Sequence, residues 1–198
     1  MTDPTALPAD LPAPEDDGAC DHLIGLGVPD VMLRSTDGDS VALAAERAER
    51  TERTIVYAYP RTGRPGEPNL TADWDLIPGA RGCTPEACGF RDHHAELAEL
   101  GASVYGLSTQ DTAYQREVVE RLELPFPILS DADLELTSAL RLPTFEVAGE
   151  TLLRRHTLVV GDGRVEHAFY PVFPPDRHPL EVVEWLRERR AAAHGSTG

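Results

Sequence analysis

The strongest constraint on this chain is how short β-branched and aromatic runs alternate with segments of helical period. Thr54 to Tyr59 reads Thr-Ile-Val-Tyr-Ala-Tyr, an apolar run of the kind that forms a strand buried on both faces. Ser103 to Leu107 repeats that character, and Phe126 to Leu129 is a shorter third run. Between them, Thr84 to Leu100 places Phe90, His94, Leu97 and Leu100 three or four residues apart, the period of a helix. Thr112 to Leu122 predicts a second helix stopped by Pro125, and Ser130 or Asp131 caps a third reaching Leu140. Two hairpins follow from turn chemistry. Val31–Leu33 and Val41–Leu43 flank Thr36-Asp-Gly-Asp, and His156–Val160 and Val165–Phe169 flank Gly161-Asp-Gly. Pro179 to Arg190 predicts the closing helix, with its proline near the first turn.

Strands alternating with helices give a largely parallel sheet covered on both faces, and the late hairpin makes it mixed. The expected class is α/β: a thioredoxin-like fold, its central mixed β-sheet flanked by helices, with an N-terminal β-hairpin extension. A length of 198 residues suits one domain with tails. Residues 1–19, rich in Pro, Asp and Ala, read as a disordered acidic tail. Residues 20–190 form the domain, with a Gly/Pro-rich loop inserted at 61–78, and 191–198 read as a flexible end. Against 18 basic residues stand 34 acidic ones, a net charge of −16 that repels nucleic acid and anionic membrane. No run is long enough to span a bilayer and nothing resembles a secretory leader, so the expected location is cytoplasmic. Three cysteines are too few for a disulfide framework and read as thiols.

The chemistry sits in Pro78-Gly-Ala-Arg-Gly-Cys-Thr-Pro-Glu-Ala-Cys-Gly-Phe-Arg-Asp92, which follows a core strand and opens a helix. Thr84 is a candidate cap, and Pro85 and Glu86 suit a first turn. A cysteine at that place meets unpaired backbone N–H groups and the positive end of the helix dipole. Both favour the thiolate, the nucleophilic form, and Arg81 adds positive potential. Five residues along an intact helix are about 7.5 Å of rise and roughly 140° of rotation. A disulfide needs Cα atoms within about 7 Å, so any redox cycle pairing Cys83 with Cys88 must unwind the first turn. Taken as spacing alone, Cys83 is equally a small core residue, and Cys88, beside Ala87 and near Phe90, is more readily one. A zinc site from Cys83, Cys88, His93 and His94 fits poorly, because the cysteine spacing is too wide for a ligand knuckle and adjacent histidines on a helix diverge by about 100°.

Tyr57-Ala-Tyr-Pro60, Gly82-Cys-Thr-Pro-Glu-Ala-Cys-Gly-Phe-Arg-Asp92 and Val104-Tyr-Gly-Leu-Ser-Thr109 together resemble the peroxiredoxin Q (bacterioferritin comigratory protein) family of the AhpC/TSA superfamily. The similarity continues through Phe126-Pro-Ile-Leu-Ser-Asp131 and Arg155-His-Thr-Leu-Val-Val160, covering roughly residues 22–187. The resemblance implies a thiol-dependent peroxidase without cofactor or metal. Cys83 would be oxidised by hydrogen peroxide or an organic hydroperoxide to a sulfenic acid. Cys88 would resolve it into an intramolecular disulfide, which thioredoxin or a similar dithiol reductant recycles. Arg155, with Arg154 beside it as the alternative, would be the arginine that stabilises the thiolate and orients the peroxide. Pro60, Thr62 and Gly82 are the expected substrate-side residues. Intramolecular resolution needs no partner subunit, so a monomer or weak dimer is expected.

The chain departs from the family in two places. The hydroxyl residue expected three positions before the nucleophile is Ala80, and the loop from Arg61 to Ile77 is longer than usual. Thr62 is the candidate to supply the missing hydroxyl. The departures keep a second reading open, a peroxiredoxin-like scaffold with altered thiol chemistry or a sensing or binding role. A thioredoxin-like disulfide oxidoreductase is a third, opposed by the cysteine spacing. Trp74 covers the site or packs the loop, and Trp185 joins Val182 and Leu186 in a core stripe. Cys20 reads as an exposed incidental thiol, and His156 and His167 as structural.

Overall fold

The computed structural model describes residues 7, 8, 10–45 and 52–195. Strands β1 (Met32–Ser35) and β2 (Ser40–Ala42) form the first hairpin, and β3 (Arg53–Ala58) is the central strand. Helices α1 (Cys83–Asp92) and α2 (His94–Glu99) follow, then β4 (Ala102–Ser108), α3 (Thr112–Leu122), β5 (Ile128–Ser130) and α4 (Glu135–Leu140). Strands β6 (Thr144–Val147) and β7 (Glu150–Leu153) pair with each other alone. The chain continues through β8 (His156–Gly161), β9 (Arg164–Phe169) and α5 (His178–Gly195).

Seven strands make one sheet in the order β2-β1-β5-β4-β3-β8-β9. The β3–β4 and β4–β5 pairs are parallel and the β1–β5, β3–β8 and β8–β9 pairs antiparallel, the mixed thioredoxin-like sheet expected. The N-terminal hairpin extends the sheet, with β1 pairing beside β5. Because side chains alternate along a strand, β3 feeds two cores at once. Ile55, Tyr57 and the following Tyr59 join Phe90, Leu97, Val118 and Val182 from α1, α2, α3 and α5 on one face. Val56 and Ala58 join Leu136 and Leu140 of α4 on the other.

The segment predicted as one helix from Thr84 to Leu100 is two, bent at His93 (φ −98°, ψ 6°), where Asp92, His93 and His94 supply weak helix formers. Asp131 does cap α4, but across an intervening turn. Its carboxylate accepts from the Leu136 and Thr137 N–H groups and the Thr137 hydroxyl, with Leu134 at φ 55°. The third strand runs Ile128–Ser130 rather than from Phe126, and α5 continues to Gly195. The β6–β7 hairpin escaped the sequence reading.

The segment expected to be a disordered tail has contacts where it is described. Asp17 accepts from Arg154 at 3.0 Å and from the Tyr170 hydroxyl at 2.8 Å. Residues 1–6 and 9 of that segment and 196–198 lie outside the described residues. Cys20 corrects an expectation. It is not exposed: only 4% of it is accessible, in the core with Leu23, Val28 and Val165. Burial, with Asp17, Asp21 and Asp16 nearby, pushes its thiol up to about 12, so it stays protonated.

Candidate active site

Cys83 is the first residue of α1 and is 4% exposed. The backbone before it is set by Gly82, whose φ of 110° favours glycine and where a Cβ would run into Pro175. Gly82 caps the helix with no side-chain hydrogen bond, so Thr84 does not serve as the cap. The helix starts with its N–H groups uncovered by a cap, at the end where negative charge is favoured.

Arg155 lies in the short connection from β7 to β8 and is 3% exposed. Its Nη2 donates to Cys83 Sγ at 3.1 Å and to the carbonyls of Gly79, Ala80 and Arg81 at 3.3, 3.4 and 3.3 Å. Its Nη1 donates to the Glu86 carboxylate. Neighbouring Arg154 points elsewhere, to Asp17, Tyr170 and the Thr144 carbonyl. Of the two candidate arginines, the structure brings Arg155 to the cysteine.

Glu86 is the residue that sequence reasoning missed. It was read only as a first-turn acid, yet it is 0% exposed and shares Arg155 with Cys83. No local signal marks it, since a glutamate there usually serves the dipole at the surface. Two acids thus compete for one cation. Burial pushes the Cys83 thiol up, Arg155 pulls it back, and Glu86 adds to the rise, leaving it above its ordinary value. Arg155 and the helix start thus work against burial and Glu86 at this sulfur, which also lies 3.7 Å from the Ala80 carbonyl. Burial also raises Glu86, against the pull of Arg155 and His178. For Arg155, burial works to lower its value and the facing Cys83 and Glu86 outweigh it.

Thr62 is 2% exposed and shares a cavity of about 220 Å³ with Cys83. Its hydroxyl donates to Gln110 Oε1 at 3.1 Å, and Gln110 Nε2 returns a bond to the Thr62 carbonyl. Pro60 is buried just after Tyr59 and lies outside the lining of that cavity, whereas Gly82 is part of it. Ala80 is wholly buried in a small third core with Trp74 and Leu152, against which Ile77 and Phe145 pack. The methyl group is what that packing accommodates. Trp74 thus both packs the inserted loop and borders the cavity. Arg81 pairs with Asp75 at 2.8 Å, so its charge is engaged there.

Cys88 is buried in the same core as Cys83, on the intact α1. None of the three cysteines is in a disulfide.

A thioredoxin-like sheet that presents a buried cysteine at a helix start against a buried arginine defines the redoxin class, and the Redoxin family model matches residues 24–183. Peroxiredoxin Bcp of Escherichia coli strain K12 is 30% identical over 169 residues, covering 81% of this chain and 92% of that protein. The chain belongs to the peroxiredoxins, the thiol-dependent peroxidases, in their peroxiredoxin Q/Bcp branch. A chloroplastic peroxiredoxin Q of Oryza sativa subsp. japonica is also 30% identical, over 164 residues; the chain spans 82% of itself and 66% of that protein in the match. The crystal structure of peroxidoxin BcpB from Mycobacterium tuberculosis superposes with a TM-score of 0.66 at 26% identity, covering 83% of this chain and 96% of that one.

Proposed function

We propose that this peroxiredoxin reduces hydrogen peroxide and organic hydroperoxides at Cys83, with Cys88 as the resolving thiol and Arg155 as the positioning cation. The observation that carries the reading is the buried Arg155 Nη2 donating to Cys83 Sγ at 3.1 Å where α1 begins. When the Cys83 proton leaves, the thiolate inherits that donor and the uncapped helix N–H groups, which offset the cost of a buried charge. The thiolate attacks one peroxide oxygen. An S–O bond forms, the O–O bond breaks, and its electron pair leaves on the other oxygen, which takes a proton and departs as alcohol or water. The first turn of α1 then unwinds. The Cys88 thiolate attacks the sulfenic sulfur, an S–S bond forms and water leaves. A thioredoxin-like dithiol exchanges with that disulfide and restores both thiols. Pro60, Thr62 and Gly82 are assigned to shaping the substrate side, with Gly82 and Thr62 at the cavity itself.

We assign the chemistry to a unit spanning residues 20–190, acting as a monomer or weak dimer because both cysteines lie on one helix. A cytoplasmic setting suits three free thiols. Among the described residues no helix is long and apolar enough to cross a membrane. Ala80 in place of a hydroxyl residue and the longer loop favour one second reading, a peroxiredoxin scaffold with altered thiol chemistry or a sensing role. A thioredoxin-coupled peroxide consumption assay tests the enzyme. Cys83→Ser is expected to abolish turnover, and turnover that survives in that variant contradicts the reading.

A further inference from the structure

The mouth of the cysteine site is unusually rich in arginine for this chain. The cavity that holds Cys83 is lined by Arg61, Arg64, Arg81 and Arg121 and, among the described residues, by no carboxylate, in a protein of net charge −16. The acids that pair with these arginines, Glu150, Glu117, Glu67 and Asp75, do not line it. Each guanidinium is held in place by a further contact or a close pair. Arg61 and Arg64 lie over the Tyr114 ring at 5.2 and 4.1 Å, Arg121 donates to the Gly63 carbonyl, and Arg81 closes on Asp75 at 2.8 Å. Arg64 Nε is buried without a hydrogen bond, and its contact to Glu117 is a loose 3.8 Å. Guanidinium groups already fixed lose little freedom when they bind, and their planar forks match a carboxylate. The remaining walls include the apolar Trp74 and Leu7. Arg61, Arg64 and Trp74 all come from the inserted loop at 61–78, which gives that loop a task.

We propose that the inserted loop builds an anion subsite beside Cys83, which selects small hydroperoxides bearing a carboxylate. This rests on the peroxidase reading and adds the substrate class to it. At about 220 Å³ the cavity is below the roughly 300–1,000 Å³ of pockets for drug-sized ligands, so a compact substrate is implied. The carboxylate sits among the arginines, the organic body lies against Trp74, and the peroxide reaches Sγ.

The test is a matched pair: cumene hydroperoxide and the same molecule carrying a para-carboxylate. Oxidation of reduced Cys83 is followed by stopped flow in the full-length protein. At low salt the carboxylated peroxide is expected to react about tenfold faster, within the range of electrostatic steering. That ratio should fall toward one near 1 M salt, where screening acts over about 3 Å. It should drop several-fold in Arg64→Gln and Arg81→Gln and fall only partly in Arg64→Lys, which keeps the charge but not the planar fork. Fast reaction with both peroxides at a ratio of one or below overturns the subsite and leaves the peroxidase standing. Equal ratios in wild type and both glutamine variants overturn it too. If the ratio is one and the variants slow only recycling by thioredoxin, the arginines dock an acidic reductant and the proposal is wrong. Reaction of Cys83 with neither peroxide faster than a free thiol overturns both readings together.

Discussion

Arg155 gives one positive charge to two acids, and in the proposed mechanism the balance between them sets the reactivity of Cys83. Because Glu86 raises the thiol, Glu86→Gln should move Cys83 ionisation to lower pH, read from the ultraviolet absorbance of the thiolate. An upward move would mean that Glu86 acts chiefly by holding Arg155 in place. Arg155→Gln removes the donor at 3.1 Å and should slow peroxide oxidation by about 10²–10³-fold, the usual loss for a preorganised donor. A change under tenfold would remove Arg155 from the chemistry. His156, one residue on, carries a separate pH effect. It is wholly buried and held down to about 4 from 6.5, with Nδ1 on the Arg154 carbonyl and Nε2 without a partner. The unfolded chain takes that proton more readily. Stability is therefore unaffected by His156 above pH 6.5, falls as pH drops from 6.5 toward 4, and loses on the order of 3 kcal/mol across that window. Urea unfolding of wild type and His156→Gln at pH 7 and pH 4.5 checks this. Equal pH slopes in the two proteins would refute it.

Helix α1 carries both cysteines, so in the proposed cycle its first turn is the element that opens. In the disulfide form, amides near Cys83 to Ala87 should exchange with solvent markedly faster than in the reduced protein, and Cys88→Ser should remove that difference under peroxide. Unchanged protection in the oxidised protein would mean that the turn does not unwind. The elements legible in the sequence were those whose pattern is local. The uninterrupted Thr54–Tyr59 run gave β3, and the period ended by Pro125 gave α3 at its observed ends. What escaped depends on tertiary contacts. The β6–β7 hairpin pairs outside the main sheet and packs on the inserted loop, turning at Ala148 and Gly149, both at positive φ. Its short strands, with pattern-breaking Glu146 and Thr151, carried no signal of that partner. Glu86 and Cys20 were misjudged for the same reason, since each is buried by segments distant in sequence or by a stretch without period.

At the scale of the molecule, a chain of net charge −16 gathers four arginines around one cavity. Net charge alone therefore said nothing about the site. The sheet fixes Arg155 just before β8, β3 leads through Tyr59 and Pro60 into the loop, and α1 begins at the cysteine, so three non-adjacent stretches meet at one sulfur. The motif around Cys83 was readable because its residues are contiguous. The shared cation and the packed Ala80 were not, because folding assembles them. The most direct measurement mixes the reduced protein with one equivalent of hydrogen peroxide and follows thiol loss by stopped flow, with intact mass and peptide mapping of the product. Rapid loss of two hydrogens' mass, with Cys83 crosslinked to Cys88, is the result predicted. Oxidation at the pace of an ordinary thiol, or a crosslink that omits Cys83, would contradict a peroxidase centred on that residue.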